Sequence, residues 1–208
     1  MEKLLIFPYN GNALEAIDCI DQQFELIGFV DDTIEKQGMT KWGVPVFNRA
    51  ALEKYKNAKV LAVPGSATSF KKRQEYISSL NINDERFVSV IHPGSSVGRN
   101  VTIGTNCLIM AGVVLTSNAQ IGNHVCILPN TVIHHDVVIN DYTLIGSNVA
   151  IAGGTNIGFN CYIGSGTNIM NGIVIGDFSL IGLGSNVIKS ISSQSIVAGN
   201  PAKRLNKF

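Results

Sequence analysis

The chain has 208 residues, 45% of them hydrophobic, and a formal net charge of +1. This length allows one large or two small domains with a sizeable core, and the near-neutral charge gives no electrostatic reason to expect nucleic acid as a partner. The four scattered cysteines form no CxxC motif, and the first apolar run is too short for a signal peptide or a membrane span. We therefore expect a cytoplasmic protein with reduced thiols.

The first ninety residues or so alternate between apolar runs and helix-like stretches. The predicted strands are Lys3 to Phe7, Glu25 to Val30, Lys59 to Val63 and Arg86 to Val90, and the predicted helices are Ala13 to Asp18, Arg49 to Tyr55 and Ser69 to Ser79. Val44 to Phe47 leads into the second of these helices. Asn12 is the expected cap of the first helix. This alternation predicts a small parallel sheet with helices around it. We assign residues 1–92 to this α/β domain, because Pro93 and Gly94 mark a change of pattern.

The turns after three of these strands are candidates for binding a sugar nucleotide. Open α/β sheets bind ligands at the carboxyl ends of their strands. The residues concerned are Tyr9, Asn10, Gly11, Asn12, Asp31, Asp32, Gly65 and Ser66. The first turn lacks the GxGxxG spacing, so dinucleotide binding is only weakly indicated. Ordinary βα turns are an equally good interpretation of all three.

Residues 93–208 are dominated by a six-residue repeat. An aliphatic residue occupies every sixth position from Val97 to Val187, sixteen times without an insertion. A mostly small residue follows four positions later, and Gly often comes directly after the aliphatic one. This period fits neither a heptad nor a 3.6-residue helix, and it is the signature of a β-helix of hexapeptide repeats. We expect the aliphatic side chains to fill its interior and the register to end near Ser192.

One polar cluster within the repeat has the composition of a catalytic base. His134, His135 and Asp136 follow Ile133, in slots that face outward or onto a turn. A general base needs an imidazole that titrates near neutrality and a carboxylate that orients it. The alternative is two exposed turn histidines beside an acidic residue.

The repeat resembles the left-handed parallel β-helix of the hexapeptide acyltransferases, in which three hexads form one triangular coil. Residues eighteen apart stack in that geometry, so Gly153 is expected beside His135. A backbone N–H exposed at Gly153 is suited to donate to an oxyanion. The alternative is that Gly153 and Gly154 only relax the turn.

Nearly the whole chain is similar to the bacterial sugar acetyltransferases that include the bacillosamine-pathway N-acetyltransferase and the sialic acid O-acetyltransferases. The matching segments are Asp31-Asp32, Ile91-His92, Ile133-His134-His135-Asp136 and Gly199-Asn200-Pro201-Ala202-Lys203. In that family an Ile-x-His-Glu/Asp segment carries the base, which corresponds to His135 with Asp136 beside it. The resemblance implies a homotrimer that binds acetyl-CoA between subunits and holds a nucleotide-linked amino sugar partly by the N-terminal domain.

Two departures from the family pattern concern ligand contacts. The family's Gly-rich first turn with a His is replaced by Pro8-Tyr9-Asn10-Gly11-Asn12, and the second His, nine residues after the base, is Leu144. We expect acetyl-CoA to pass Gly153, Ser165 and Leu183. Lys203 or Arg204 is expected near its phosphates, with a solvated basic tail as the alternative. His134 is assigned to the substrate side of the site.

The predicted function is acetyl-CoA-dependent N-acetylation of a nucleotide-linked amino sugar, with UDP as the expected nucleotide and without a metal. Sugar O-acetylation and a non-catalytic solenoid that serves as an assembly module are the alternatives. A zinc hydratase of the γ-carbonic-anhydrase type is disfavoured, because His124, His134 and His135 lack the spacing of a three-histidine site.

Overall fold

A computed structural model describes residues 1–205 of the chain and begins with a five-stranded sheet. The strands are β1 Glu2–Phe7, β2 Phe24–Val30, β3 Gly38–Met39, β4 Pro45–Phe47 and β5 Lys59–Ala62, in the order β3-β4-β2-β1-β5. The α-helices are α1 Gly11–Ala16, α2 Ala50–Lys54 and α3 Arg73–Ser78, with 3-10 turns at Ile17–Cys19, Ile34–Lys36, Phe70–Lys72 and Asp84–Arg86. Along this described part of the chain, no helix has the length and apolar character needed to cross a membrane.

Three sequence-based expectations for this unit are corrected. Arg86 to Val90 is not a strand of this sheet, because Asp84–Arg86 is a 3-10 turn and the strand Val90–Ile91 pairs with Leu108–Ile109 of the β-helix. The sheet is not wholly parallel, because β3 pairs antiparallel with β4 across a turn that contains Gly43 at φ 79°. The cap of α1 is Asn10 and not Asn12, because the helix begins at Gly11. The Asn10 side-chain oxygen accepts a hydrogen bond from the Ala13 N–H at 2.9 Å, which satisfies one of the free donors of the first turn.

The six-residue repeat folds into a parallel β-helix whose three faces we number I to III. Face I contains Val90–Ile91, Leu108–Ile109, Cys126–Ile127, Leu144–Ile145, Tyr162–Ile163, Leu180–Ile181, Ile196–Ala198 and Lys203–Arg204. Face II contains Ser96–Val97, Val114–Leu115, Val132–Ile133, Ala150–Ile151, Asn168–Ile169 and Asn186–Val187. Face III contains Thr102–Ile103, Gln120–Ile121, Val138–Ile139, Asn156–Ile157 and Val174–Ile175.

The predicted hexad register is confirmed strand by strand. Each of the sixteen predicted aliphatic residues is the second residue of a two-residue strand. Leu115 pairs with Ile133 and Ile133 with Ile151, so residues eighteen apart stack and three hexads make one coil. Val97 is an exception to the expected burial: its side chain is 47% exposed, because its strand is the last of face II and no coil covers it.

The small residues of the repeat link successive coils. The Thr131 hydroxyl donates to the Gly146 carbonyl at 2.7 Å and accepts from the Val149 N–H at 3.1 Å, and Thr143 makes the equivalent bonds to Gly158 and Cys161. These threonines are fully buried. A buried hydroxyl is costly unless it is hydrogen-bonded, and here each one both donates and accepts. All four cysteines are buried free thiols.

The N-terminal unit is docked on face I of the β-helix. Leu4 and Ile6 of β1 belong to one buried apolar cluster with Leu108 and Leu144 of face I. The Asn106 side chain bonds both backbone groups of Ala62, accepting from its N–H at 2.7 Å and donating to its carbonyl at 2.9 Å. An amide that satisfies both groups extends the edge of β5 onto the β-helix.

A buried arginine completes the contact between the two parts. Arg73 at the start of α3 is 1% exposed and donates to the carbonyls of Pro64, His124 and Tyr142, at 2.7 Å for His124 and 2.8 Å for Tyr142. Face I is therefore covered, and faces II and III are left open. The division of the chain at residue 92 stays a proposal, since Val90–Ile91 already pairs with Leu108–Ile109.

Candidate active site

His135 lies on the corner where face II passes into face III, in the turn between Val132–Ile133 and Val138–Ile139. Its Nδ1 is 2.7 Å from Asp136 Oδ2, and the two side chains are 66% and 55% exposed. The hydrogen bond from His135, together with a second one from Asn118, holds the pKa of Asp136 below its usual range. An ionised carboxylate only accepts hydrogen bonds, so it places the imidazole proton on Nδ1 and leaves Nε2 as an acceptor.

Gly153 is required where it stands because the His135 ring lies against its backbone. A Cβ at Gly153 would be 2.5 Å from His135 Nε2 and 2.6 Å from Cε1. The next residue differs: Gly154 has open space around it but a φ of 67°, a region that side chains disfavour. The expected stacking of His135 on Gly153 is therefore present, and Gly154 is the glycine that relaxes the turn.

In the part of the chain that the structure describes, the amide N–H of Gly153 has no hydrogen-bond acceptor. In the same slot at other corners, the N–H donates to a side chain one coil further on, from Asn123 to Asp141 at 2.7 Å and from Phe159 to Asp177 at 2.8 Å. Over residues 1–205, the Gly153 N–H has no such acceptor. An unpaired N–H next to an imidazole acceptor is the arrangement that acyl transfer requires of a base and an oxyanion donor.

The other expected cofactor residues lie elsewhere on the β-helix. Ser165 and Leu183 stack on the corner between faces I and II, where the Ser165 hydroxyl accepts from the Ser147 N–H at 3.0 Å and Leu183 is 71% exposed. Lys203 and Arg204 are exposed in a short hairpin at the end of face I. One chain therefore does not bring these four residues to His135.

A cleft of about 370 Å³ at the carboxyl end of the N-terminal sheet contains most of the predicted sugar-nucleotide residues. Among those residues, the ones that line it are Asn10, Asp31, Asp32, Gly65 and Ser66. Tyr9, Gly11 and Asn12 lie outside the lining. The Tyr9 ring packs on Phe29 with 5.0 Å between ring centroids, and the Asn12 amide donates to the Val63 carbonyl at 3.4 Å.

Asp31 holds the cleft together. Its carboxylate is 4% exposed and accepts from the Tyr9 N–H at 3.0 Å, the Thr33 N–H at 2.9 Å and Lys36 Nζ at 3.0 Å. Burial opposes ionisation of Asp31, but the hydrogen bonds from Thr33 and Lys36 outweigh it and hold its pKa below the usual range. Asp31 therefore links the ends of β1 and β2, and a part in substrate binding stays a prediction.

Two cations at the cleft were missed from the sequence. Lys36 lines the cleft, is 42% exposed, and donates to both Asp31 and the Tyr9 carbonyl. Arg49 holds Asp32 with two bonds, at 2.6 Å and 2.8 Å, which leaves Asp32 half exposed and fixed at the rim. Neither cation belongs to a sequence motif, and only the fold brings them to the strand ends.

The third histidine of the disfavoured zinc site, His124, is separated from His134 and His135. It is buried on the corner between faces III and I, bonded to Asn106 at 2.9 Å and stacked on Tyr142 with 4.5 Å between centroids. Burial, followed by the nearby Arg73 charge, lowers the pKa of His124 to about 4. Within the described range 1–205, no group of three or more His, Cys, Asp or Glu side chains is placed to hold a metal ion.

Comparison with known proteins identifies the repeat and the fold. Residues 118–153 match the family model described as bacterial transferase hexapeptide (six repeats). No curated protein sequence matches the chain. The acetyltransferase domain of PglB from Neisseria gonorrhoeae superposes with a TM-score of 0.84 at 23% identity, over 99% of this chain and 100% of that domain.

Two further structures match to the same extent. A mutant of perosamine N-acetyltransferase from Caulobacter crescentus, in complex with CoA and GDP-perosamine, has a TM-score of 0.85 and 22% identity, over 100% of this chain and 98% of its own. WeeI from Acinetobacter baumannii has a TM-score of 0.85 and 24% identity, over 99% and 100%. The chain has the fold of the hexapeptide acetyltransferases. Its α/β N-terminal unit followed by a left-handed parallel β-helix confirms the fold expected from the resemblance.

Proposed function

We propose that this protein is an acetyl-CoA-dependent N-acetyltransferase that acts on a nucleotide-linked amino sugar. The observation that carries the proposal is the corner site itself. His135 is oriented by Asp136 through a 2.7 Å bond, its Nε2 bonds no group of residues 1–205, and its ring lies against the backbone of Gly153. The fold shared with acetyltransferase structures supports acetyl transfer at such a site.

Each residue of the corner has one role in this chemistry. Acetyl-CoA supplies an activated carbonyl carbon; the C–N bond forms as the C–S bond breaks, and the CoA thiolate leaves and takes up the proton that His135 has accepted. His135 Nε2 accepts the proton of the attacking sugar amine, and Asp136 stabilises the imidazolium that results. The Gly153 N–H donates to the oxygen on which negative charge develops. A modest base is sufficient, because an amine with a pKa near neutrality loses its proton more readily than a hydroxyl does.

The C-terminal coils on the His135 corner have a surface that suits the pantetheine arm of acetyl-CoA. Ala152, Met170 and Ile188 stack in successive coils, and Met170 and Ile188 are 45% and 47% exposed. Lys189 lies at the end of this stretch and is exposed. The exposed apolar residues would contact the pantetheine arm, and Lys189 would lie near the phosphates at its end. This supports binding of the cofactor along the C-terminal coils.

The expected homotrimer would complete the site. Ser165 and Leu183 lie on another corner than His135, and the N-terminal cleft lies over face I, which is the face opposite the His135 corner. We propose that a neighbouring subunit supplies these groups in a cyclic trimer with parallel axes. Lys203 and Arg204 keep their expected role toward the cofactor phosphates as part of this proposal.

The cleft of the N-terminal unit is the proposed site for the nucleotide, with Lys36 near its phosphates. Lys36 keeps an exposed ammonium group at the cleft, and cations are the usual partners of diphosphate groups. UDP remains the expected nucleotide. Because perosamine N-acetyltransferase was crystallised with GDP-perosamine, the assay should compare UDP-linked with GDP-linked amino sugars.

The decisive experiment compares two adjacent histidines. His135→Ala should lower kcat by roughly two orders of magnitude or more, the size of a general-base contribution, with little change in KM for acetyl-CoA. His134→Ala should have a much smaller effect, because the His134 side chain bonds neither Asp136 nor any other group of residues 1–205. Thiol release from acetyl-CoA with each sugar nucleotide measures both variants.

Three outcomes would count against the proposal. A near-normal kcat in His135→Ala would show that His135 is not the general base. Acetylation of a hydroxyl in place of the amine, read from the product by NMR, would favour the O-acetyltransferase alternative. Calorimetry without detectable binding at millimolar acetyl-CoA would favour the assembly module.

A further inference from the structure

A ladder of hydrogen-bonded side chains runs along the His135 corner and ends at the catalytic pair. Asn100, Asn118 and Asp136 occupy the same slot in three successive coils, with left-handed φ values of 56°, 61° and 59°. Asn100 Nδ2 donates to Asn118 Oδ1 at 3.3 Å, and Asn118 Nδ2 donates to Asp136 Oδ1 at 2.8 Å. The other oxygen of Asp136 bonds His135 at 2.7 Å.

We propose that Asn118 is a positioning residue that fixes the orientation and tautomer of His135 through Asp136, an inference that rests on the proposed acetyl transfer. The Asp136 carboxylate is half exposed, so without a second partner it is free to rotate toward water. With Oδ1 held by Asn118, Oδ2 faces His135 Nδ1. A fixed acceptor at Nδ1 selects the tautomer whose Nε2 accepts the proton.

Asn100 determines which way the side-chain amide of Asn118 is turned. An amide can be turned either way, and a reversed Asn118 would place its oxygen against the Asp136 carboxylate, where two acceptors repel each other. The Asn100 amide donates to the Asn118 oxygen and so keeps the Asn118 NH2 group toward Asp136. The contact is longer and one coil further from the base, so its influence on His135 should be weaker.

Glycine variants test the ladder without straining the turn. Gly adopts a φ near 60° freely, so Asn118→Gly removes only the side chain. Gln194→Gly is the control, since Gln194 has a φ of 59°, is exposed on the corner between faces III and I, and its side chain makes no hydrogen bond to residues 1–205. Asn100→Gly tests the hydrogen bond between Asn100 and Asn118, which lies one coil further from His135.

The expected kinetic result is a graded loss in kcat. Asn118→Gly should lower kcat by about tenfold, Asn100→Gly by about twofold, and Gln194→Gly not at all, with KM for acetyl-CoA unchanged in all three, because only the base is misplaced. Asn118→Asp, which replaces the donor by a second acceptor, should be at least as impaired as Asn118→Gly.

A second readout does not depend on activity. The ¹⁵N shifts of the histidine rings report the tautomer, and the His135 signals are assigned from His135→Gln. In the unmodified chain His135 should be mainly the Nδ1–H form, and Asn118→Gly should convert a measurable part to the Nε2–H form. An unchanged tautomer in Asn118→Gly would overturn the inference, whether or not kcat or the melting temperature falls. If the chain transfers no acetyl group at all, the proposed function fails while the ring shifts still test the ladder.

Discussion

At the scale of single residues, the site at His135 depends on the lack of a side chain at Gly153 as much as on the side chains of His135 and Asp136. The His135 ring occupies the space that a Cβ at Gly153 would need. The Gly153 N–H makes no hydrogen bond to residues 1–205. In the proposed mechanism, Gly153 therefore both makes room for the base and donates to the oxyanion, which couples the two functions geometrically.

Exchange of the two adjacent glycines for alanine should separate activity from stability. Gly153→Ala places a Cβ 2.5 Å from His135 Nε2, so the exposed ring must move and kcat should fall by at least about tenfold. Gly154→Ala meets no neighbour but must hold a φ of 67°, at a cost of roughly 1 kcal/mol in the free energy of unfolding. Urea unfolding and steady-state kinetics on both variants provide the test. Equal effects of the two changes on kcat would contradict this division.

At the scale of secondary-structure elements, the sequence predicts the β-helix much better than it predicts the contacts made by the N-terminal unit. The register of each hexad can be predicted from its own residues, because every strand repeats the same inward-facing aliphatic residue. His135 and Gly153 could be paired because the resemblance implies three hexads in each coil, which brings residues eighteen apart into contact. Such arithmetic needs no knowledge of other parts of the chain.

The docking of the two parts could not be predicted in this way. Asn106 bonds Ala62, and Arg73 bonds the carbonyls of His124 and Tyr142, over separations of 44 to 69 residues without any period. Lys36 was overlooked for the same reason, since only the path of the chain after β2 brings it to the cleft. These polar contacts depend on backbone carbonyls that carry no sequence signature.

The docked corner should make stability depend on pH. His124 is buried beside Asn106 and Arg73, and its pKa is lowered from 6.5 to about 4. As the pH falls below about 6.5, the unfolded chain therefore takes up a proton that the folded chain resists. The contribution of His124 to the free energy of unfolding should be fully present above that pH and should be lost as the pH falls toward 4. We expect this loss to be on the order of 2 kcal/mol.

The variant His124→Asn isolates this contribution. His124 has a φ of 59°, and asparagine occupies the same slot with similar φ at Asn106 and Asn160, so the backbone should be retained. Urea unfolding between pH 7 and pH 4.5 should show a shallower decline for the variant than for the unmodified chain. An identical pH dependence would show that His124 is not the group that titrates.

At the scale of the whole molecule, the arrangement of faces predicts where the subunits of the proposed trimer contact each other. The N-terminal unit covers face I, and the His135 corner is the edge opposite that face. Ser165 and Leu183, as proposed cofactor contacts, stand on a different corner of the same chain. A chain acting alone would thus leave the cofactor and nucleotide contacts apart from the base.

Mixing two inactive variants tests whether sites form between subunits. His135→Ala removes the base on one corner, and Leu183→Asp places a charge where Leu183 is 71% exposed on another. If neighbouring subunits share each site in a cyclic trimer, trimers reassembled from equal amounts of both should regain about a quarter of the normal activity, because each site draws one corner from each of two subunits at random. Sites built within one chain would regain none, and sedimentation as a monomer at micromolar concentration would contradict the shared site directly.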